Sequence, residues 1–165
     1  MIPLRASAEK LLATGDRVVG TLRDLSAADD LKAQDGDRLW LAALDLTHIG
    51  EIRQTVDVAW VALGHIEVVV SNAGPGLRGA AEAVTDEQIR HQIEAKMNGS
   101  IQLVRSVLPH MREQGHGRIL QVSGLGGQMT IPGSSLDPAT KCGRGPAPGT
   151  TRPGLLDRLR GPGAP

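Results

Sequence analysis

The run Ile66-Glu67-Val68-Val69-Val70 passes without a break into Ser71-Asn72-Ala73-Gly74 and then into Pro75-Gly76-Leu77-Arg78-Gly79. β-Branched residues in a short apolar run suit a strand covered on both faces, as in a parallel sheet flanked by helices. The glycines behind it form a loop at the carboxyl end of that strand, where open α/β sheets bind ligands. Gly74, Gly76 and Gly79 also fit the spacing G-x-G-x-x-G of a dinucleotide fingerprint. That motif needs a second strand ending in an acid about 20 residues further on. Glu94 falls at that distance but inside a long helical pattern, so the plain loop is the better reading.

Outward from this stretch, strands and helices alternate. Arg5 to Ala13 reads as a helix that Gly15 stops, and Arg17 to Leu22 as a strand. Ser26 and Asp29 open a short helix ending near Gly36, and Arg38 to Leu44 is the next strand. Thr47 is expected to cap a helix carrying Ile49, Ile52, Val56, Ala59 and Leu63 on one face, with Gly64 at its end. Beyond the central loop, Thr85-Asp86-Glu87-Gln88 is a capping box. Ile89, Ile93, Met97, Val104, Leu108 and Met111 continue one helix from it, and Gly117 to Ser123 is a further strand. The alternation implies right-handed crossovers and a parallel sheet.

The chain has 165 residues, no formal net charge, one cysteine and no tyrosine. Its length suits one domain, and its charge gives no global argument for nucleic acid or an anionic membrane. No apolar run of about 20 residues occurs, and Met1 to Glu9 lacks the apolar core of a signal peptide, so a cytoplasmic protein is expected. Cys142 has no partner for a disulfide, and no Cys/His cluster has zinc spacing. His48, His65, His91, His110 and His116 are scattered and read as surface or capping residues. From Cys142 the character changes: six glycines and five prolines occur among the last 24 residues. The organisation is therefore a folded unit over residues 1–141 and an unstructured Gly/Pro/Arg-rich tail over 142–165. The tail's arginines have no aromatic interleaving, and nucleic-acid binding is not expected.

Asn72-Ala73-Gly74 after a fourth strand, with its companions in order from about Arg5 to Lys141, resembles the short-chain dehydrogenase/reductase family. The resemblance implies a Rossmann-like, doubly wound parallel sheet and an NAD(P)-dependent oxidoreductase acting on a carbonyl/alcohol pair. In that family the helix equivalent to Arg5–Ala13 follows a first strand and the turn T-G-x-x-x-G-x-G. Met1-Ile2-Pro3-Leu4 stands there instead, so the sheet is expected to be incomplete. The strands equivalent to Arg17–Leu22 and Ile66–Val70 are then left to pair directly or to face a gap.

The resemblance also assigns residues. Arg23 stands where an arginine meets the 2′-phosphate of NADP, with Leu22 where NAD-preferring members carry an acid; a guanidinium suits a phosphate. A solvated strand-end arginine is the competing reading. Asp45 and Leu46 match the pair bordering the adenine, although Asp45 also suits a turn residue. Asn72, Ala73 and Gly74 line the cofactor. Of the family's Asn, Ser and Tyr-x-x-x-Lys group, only Lys141 matches: Lys96 takes the asparagine place, Gly124 the serine place beside Ser123, and Asp137 the tyrosine place. An aspartate near a lysine is driven toward the carboxylate and donates a proton poorly at neutral pH. Lys141 also reads as a solvated residue at the start of the tail. The expectation is an NADP- or NAD-linked oxidoreductase that is truncated, degenerate and catalytically impaired. The alternatives are a non-catalytic module, forming a homo- or hetero-oligomer through the helix Thr85 to Met111, and a fragment without function.

Overall fold

The computed structural model describes residues 4–72, 74, 77, 81–122 and 140. Helices and strands alternate through α1 (Leu4–Ala13), β1 (Val18–Leu22), α2 (Asp29–Asp35), β2 (Leu39–Ala43), α3 (Ile49–Leu63), β3 (Val68–Ser71), α4 (Asp86–Ile93), α5 (Gly99–Gln114) and β4 (Arg118–Gln121). β1 pairs in parallel with β2, from Val18 opposite Leu39 to Leu22 opposite Ala43. β3 pairs in parallel with β4, from Val68 opposite Arg118 to Ser71 opposite Gln121. Parallel neighbours need crossovers, which α2 supplies for the first pair and α4 with α5 for the second.

The two pairs remain separate two-stranded sheets. Of the two outcomes left open for β1 and β3, direct pairing does not occur, and no strand joins them among the described residues. Each sheet builds its own core. Leu12, Val18, Leu31 and Leu39 close around β1 and β2. Val56, Trp60, Val107 and Met111 bring α3 and α5 together over Val69 and Ile119. Leu44, Leu46 and Ile52 form a third cluster, and Leu103 touches both of the last two.

Three expectations are corrected. β3 is not covered on both faces: successive side chains point to opposite sides of a strand, and while Val69 meets the core, Val68 and Val70 stay 46% and 44% exposed. A run of β-branched residues does not distinguish one covered face from two. Thr47 does not cap α3. His48 holds the N-cap position without capping the helix through its side chain, and Thr47 instead donates its amide and hydroxyl to Asp45 Oδ1, each at 2.9 Å.

The stretch Thr85 to Met111 is not one α-helix. Its start is as read, with Thr85 and Gln88 capping each other reciprocally. The α-helix then gives way to a π-helical turn over Glu94–Asn98 before α5 resumes. The apolar line through Ile93 is also displaced. Ile93 is exposed, whereas Gln92, Lys96, Ser100, Val107 and Met111 are buried.

Candidate functional site

The site is built where β3 ends. Ser71 closes the strand, 2% exposed, and its hydroxyl lies 3.2 Å from that of Ser100, itself 3% exposed. β4 continues alongside, with Val122 N donating to Ser71 O at 2.9 Å and Gln121 Nε2 to the same carbonyl at 3.3 Å. Gly74 follows at φ +135°, a conformation that suits only glycine. Its neighbour is Lys96, just 1% exposed. A Cβ on Gly74 would overlap Lys96 Cγ and lie 2.9 Å from Cε, so the lysine's methylene stem fills the space that a side chain would need.

The helix presents three buried polar residues to this loop: Gln92, Lys96 and Ser100, each four positions from the next. Gln92 Oε1 accepts from Leu77 N at 3.1 Å, and its Nε2 donates to Thr140 Oγ1 at 3.3 Å. Steps of four drift around an α-helix of about 3.6 residues per turn. The π turn takes up that drift, with Gly99 N–H reaching back to Glu94 O, and keeps the three on one side. Such single wide turns recur at functional sites. Burying a lysine is costly unless its charge is satisfied, which marks this stripe as more than packing.

The second half of the site lies at the carboxyl ends of β1 and β2. Leu44 N donates to Leu22 O at 2.8 Å, which sets exposed Arg23 beside the segment containing Asp45. The Thr47 amide holds the Asp45 carboxyl below its ordinary range against a partial cost of burial, with the Thr47 hydroxyl and the charges of Arg23 and His48 adding to the effect. Asp45 is therefore both a turn residue and a carboxylate within the field of Arg23. Leu46 turns into the core beside Leu44 and Ile52. A Cβ on Gly99 would lie 2.7 Å from both Leu46 Cβ and Leu46 O, so α5 rests directly on the segment after β2.

The structure thus brings together Arg23 and Asp45 at one end and Asn72 and Gly74 at the other, bridged by the turn that carries Lys96 and Gly99. Ala73, Ser123, Asp137 and Lys141 lie outside the described residues. Gln92, Ser100 and Thr140 belong to no motif visible in the sequence, and Lys96 stands there only as a departure from one. A polar residue at every fourth position, flanked by Ala95 and Gly99, was the available signal. Among the described residues no group of His, Cys, Asp and Glu could hold a metal ion, and no helix is long and apolar enough to cross a membrane.

Comparison with known proteins agrees with this geometry. The family model for short chain dehydrogenases matches residues 5–144. Oxidoreductase BOA17 of Botryotinia fuckeliana is 35% identical over 137 residues, covering 82% of this chain and 50% of that protein. A short-chain dehydrogenase from Streptomyces avermitilis superposes with a TM-score of 0.79 at 38% identity, over 84% of this chain and 51% of the other. The closed form of serine dehydrogenase complexed with NADP+ superposes with a TM-score of 0.77 at 27% identity, over 83% of this chain and 56% of the other. The chain spans about half the length of the curated relatives it matches. With a Rossmann-like arrangement of parallel strands and helices, part of whose sheet is present here, the chain belongs to the short-chain dehydrogenase family of oxidoreductases.

Proposed function

We propose that this chain is the dinucleotide-facing part of an NADP-dependent oxidoreductase acting on a carbonyl/alcohol pair, and that its proton-transfer chemistry is impaired as it stands. One observation carries the first half. One stretch of helix touches both the segment after β2 and the loop after β3, through Gly99 on Leu46 and Lys96 on Gly74, and so ties the two strand ends to a common support. A guanidinium and a backbone-lined loop at the carboxyl ends of parallel strands fit the two ends of a dinucleotide. Arg23 would hold the 2′-phosphate, Asp45 and Leu46 would border the adenine, and Asn72 to Gly74 would line the nicotinamide end. The relative crystallised with NADP+ supports the same choice of cofactor.

A bound nicotinamide supplies the hydride; the protein must supply the proton. Tyrosine is absent from the chain, and Asp137 stands four residues before Lys141; an aspartate near a lysine is driven toward the carboxylate and donates a proton poorly. Loss of a general acid costs roughly 10²- to 10⁴-fold in rate. Fluorescence titration with NADPH and NADH tests the binding half: NADPH is expected to bind more tightly, and Arg23→Ala to remove that preference. Failure to bind either nucleotide rejects the dinucleotide reading. Steady carbonyl reduction above a no-enzyme blank, abolished by Lys141→Ala, rejects the impairment and makes Asp137 or an ordered water the donor.

A second reading is favoured by Ile93 and Ile101, which stay exposed on α4 and α5. In it the chain is a non-catalytic subunit that pairs through residues 85–111 with a copy of itself or with an intact relative. Sedimentation of wild type against Ile101→Glu tests it, and a monomer in both rejects self-pairing.

A further inference from the structure

Three side chains of the helix support the end of β3 and the described residues of the loop after it. Gly74 sits against the Lys96 stem with no room for a Cβ, Leu77 N is bonded to Gln92 one turn earlier, and Ser71 is bonded to Ser100 one turn later. Lys96 is the middle contact, and the π turn places it there. We propose that Lys96 is a positioning residue: its methylene stem, rather than its charge, fixes the backbone at Gly74 and so sets the loop against which a nicotinamide would lie. The last clause rests on the dinucleotide reading above; the contact itself does not.

The reasoning is steric. A glycine at φ +135° has many alternatives in a free loop, and a rigid neighbour is needed to select one. Three methylene carbons of Lys96 stand where the missing side chain would be. An asparagine at this position, as the family motif has it, is too short to supply all three. The loop geometry of this chain is therefore matched to a long unbranched side chain, and methionine is the closest uncharged substitute.

Backbone hydrogen exchange at Leu77, compared with the amides of β3 and β4, tests this without any nucleotide. Lys96→Met is expected to leave Leu77 protection within about twofold of wild type. Lys96→Ala is expected to speed exchange at Leu77 about tenfold or more while the β3 and β4 amides stay unchanged. Unchanged exchange at Leu77 in Lys96→Ala overturns the proposal, and so does a loss in Lys96→Met equal to that in Lys96→Ala, which would transfer the role to the charge. Should Lys96→Ala fail to fold, Gly74→Ala reads the same contact from the other side, and an undisturbed Leu77 there overturns it equally. NADPH titration of the same variants then separates the two ideas. Altered exchange with no binding even in wild type keeps the positioning role and rejects the dinucleotide reading.

Discussion

Ser71 and Ser100 hydrogen-bond to each other at 3.2 Å with almost no access to solvent, and this pair ties the end of β3 to the first turn of α5. Removing one partner leaves the other hydroxyl buried without this bond, which costs about 1–3 kcal/mol, whereas removing both costs less than the sum. Ser100→Ala is therefore expected to lower stability by about 1–2 kcal/mol, and Ser71→Ala with Ser100→Ala to show a coupling of at least about 0.5 kcal/mol. Urea unfolding of the four proteins in the cycle measures both. Additive losses would mean that the two hydroxyls do not depend on each other.

Gly99 poses a question of sign. Glycine within a helix is normally worse than alanine by about 1 kcal/mol, so Gly99→Ala would ordinarily stabilise. Here the added Cβ meets Leu46 Cβ and the Leu46 carbonyl oxygen at 2.7 Å, and a backbone oxygen cannot turn aside as a long side chain can. Overpacking of this kind costs about 1–3 kcal/mol, which matches or exceeds the helical gain. The expected outcome is a net loss of up to about 2 kcal/mol in urea unfolding, together with weaker NADPH binding because α5 is pushed off the segment after β2. A variant more stable than wild type would contradict the close approach.

Asp45 gives a pH dependence. Its carboxyl is held below the usual carboxylate range, chiefly by the Thr47 amide, so folding favours the ionised form. The contribution is present above about pH 4 and is lost as the pH falls through the lower value of the folded state. Side-chain oxygens that accept from a backbone amide in this way are worth about 0.5–2 kcal/mol. Asp45→Ala is expected to cost about 1 kcal/mol at pH 7 and progressively less below pH 4, while Asp45→Asn, which can still accept from Thr47 N, costs less at pH 7. An equal cost for Asp45→Ala at pH 7 and pH 2.5 would show that the carboxylate form is irrelevant.

How much of this could be read without coordinates follows from what leaves a periodic trace. The strand and helix order was legible because apolar runs and glycine stops report it directly: Gly15, Gly64 and Gly115 each end a helix at positive φ. The capping box at Thr85 was legible because two residue types at fixed spacing create it. The π turn was not, since Glu94 to Asn98 have nothing in composition that an α-helix would refuse. The buried stripe was hidden for the opposite reason: Gln92, Lys96 and Ser100 count as exposed on any hydropathy pattern, and among the described residues it is Ser71, Gly74, Leu77 and Thr140, distant in sequence, that meet them. Arg23 and Asp45 were named from a motif, and their proximity needed the pairing of β1 with β2.

The separation of the two sheets sets the order in which the chain opens. Leu12, Val18, Leu31 and Leu39 enclose β1 and β2, and no buried residue of that cluster belongs to either of the other two. The cluster of α3 and α5 and the cluster of Leu44, Leu46 and Ile52 share Leu103 and so support each other. The start of β1 reaches α3 through exposed polar contacts, from Arg17 Nη1 to Leu63 O at 3.3 Å and from Nη2 to Ala62 O at 3.4 Å. Exposed contacts of this sort add little to cooperativity, whereas a shared buried leucine adds much. Regions with fewer mutually buried contacts open below the global unfolding free energy. Native-state hydrogen exchange should therefore show the amides of Val18–Leu22 exchanging through an opening at least about 1 kcal/mol cheaper, or roughly fivefold more populated, than the opening that exposes α5 and β3. Arg17→Ala should widen that gap only slightly. If β1 and α5 exchange with the same free energy and the same dependence on urea, the two sheets unfold as one unit and the division is wrong.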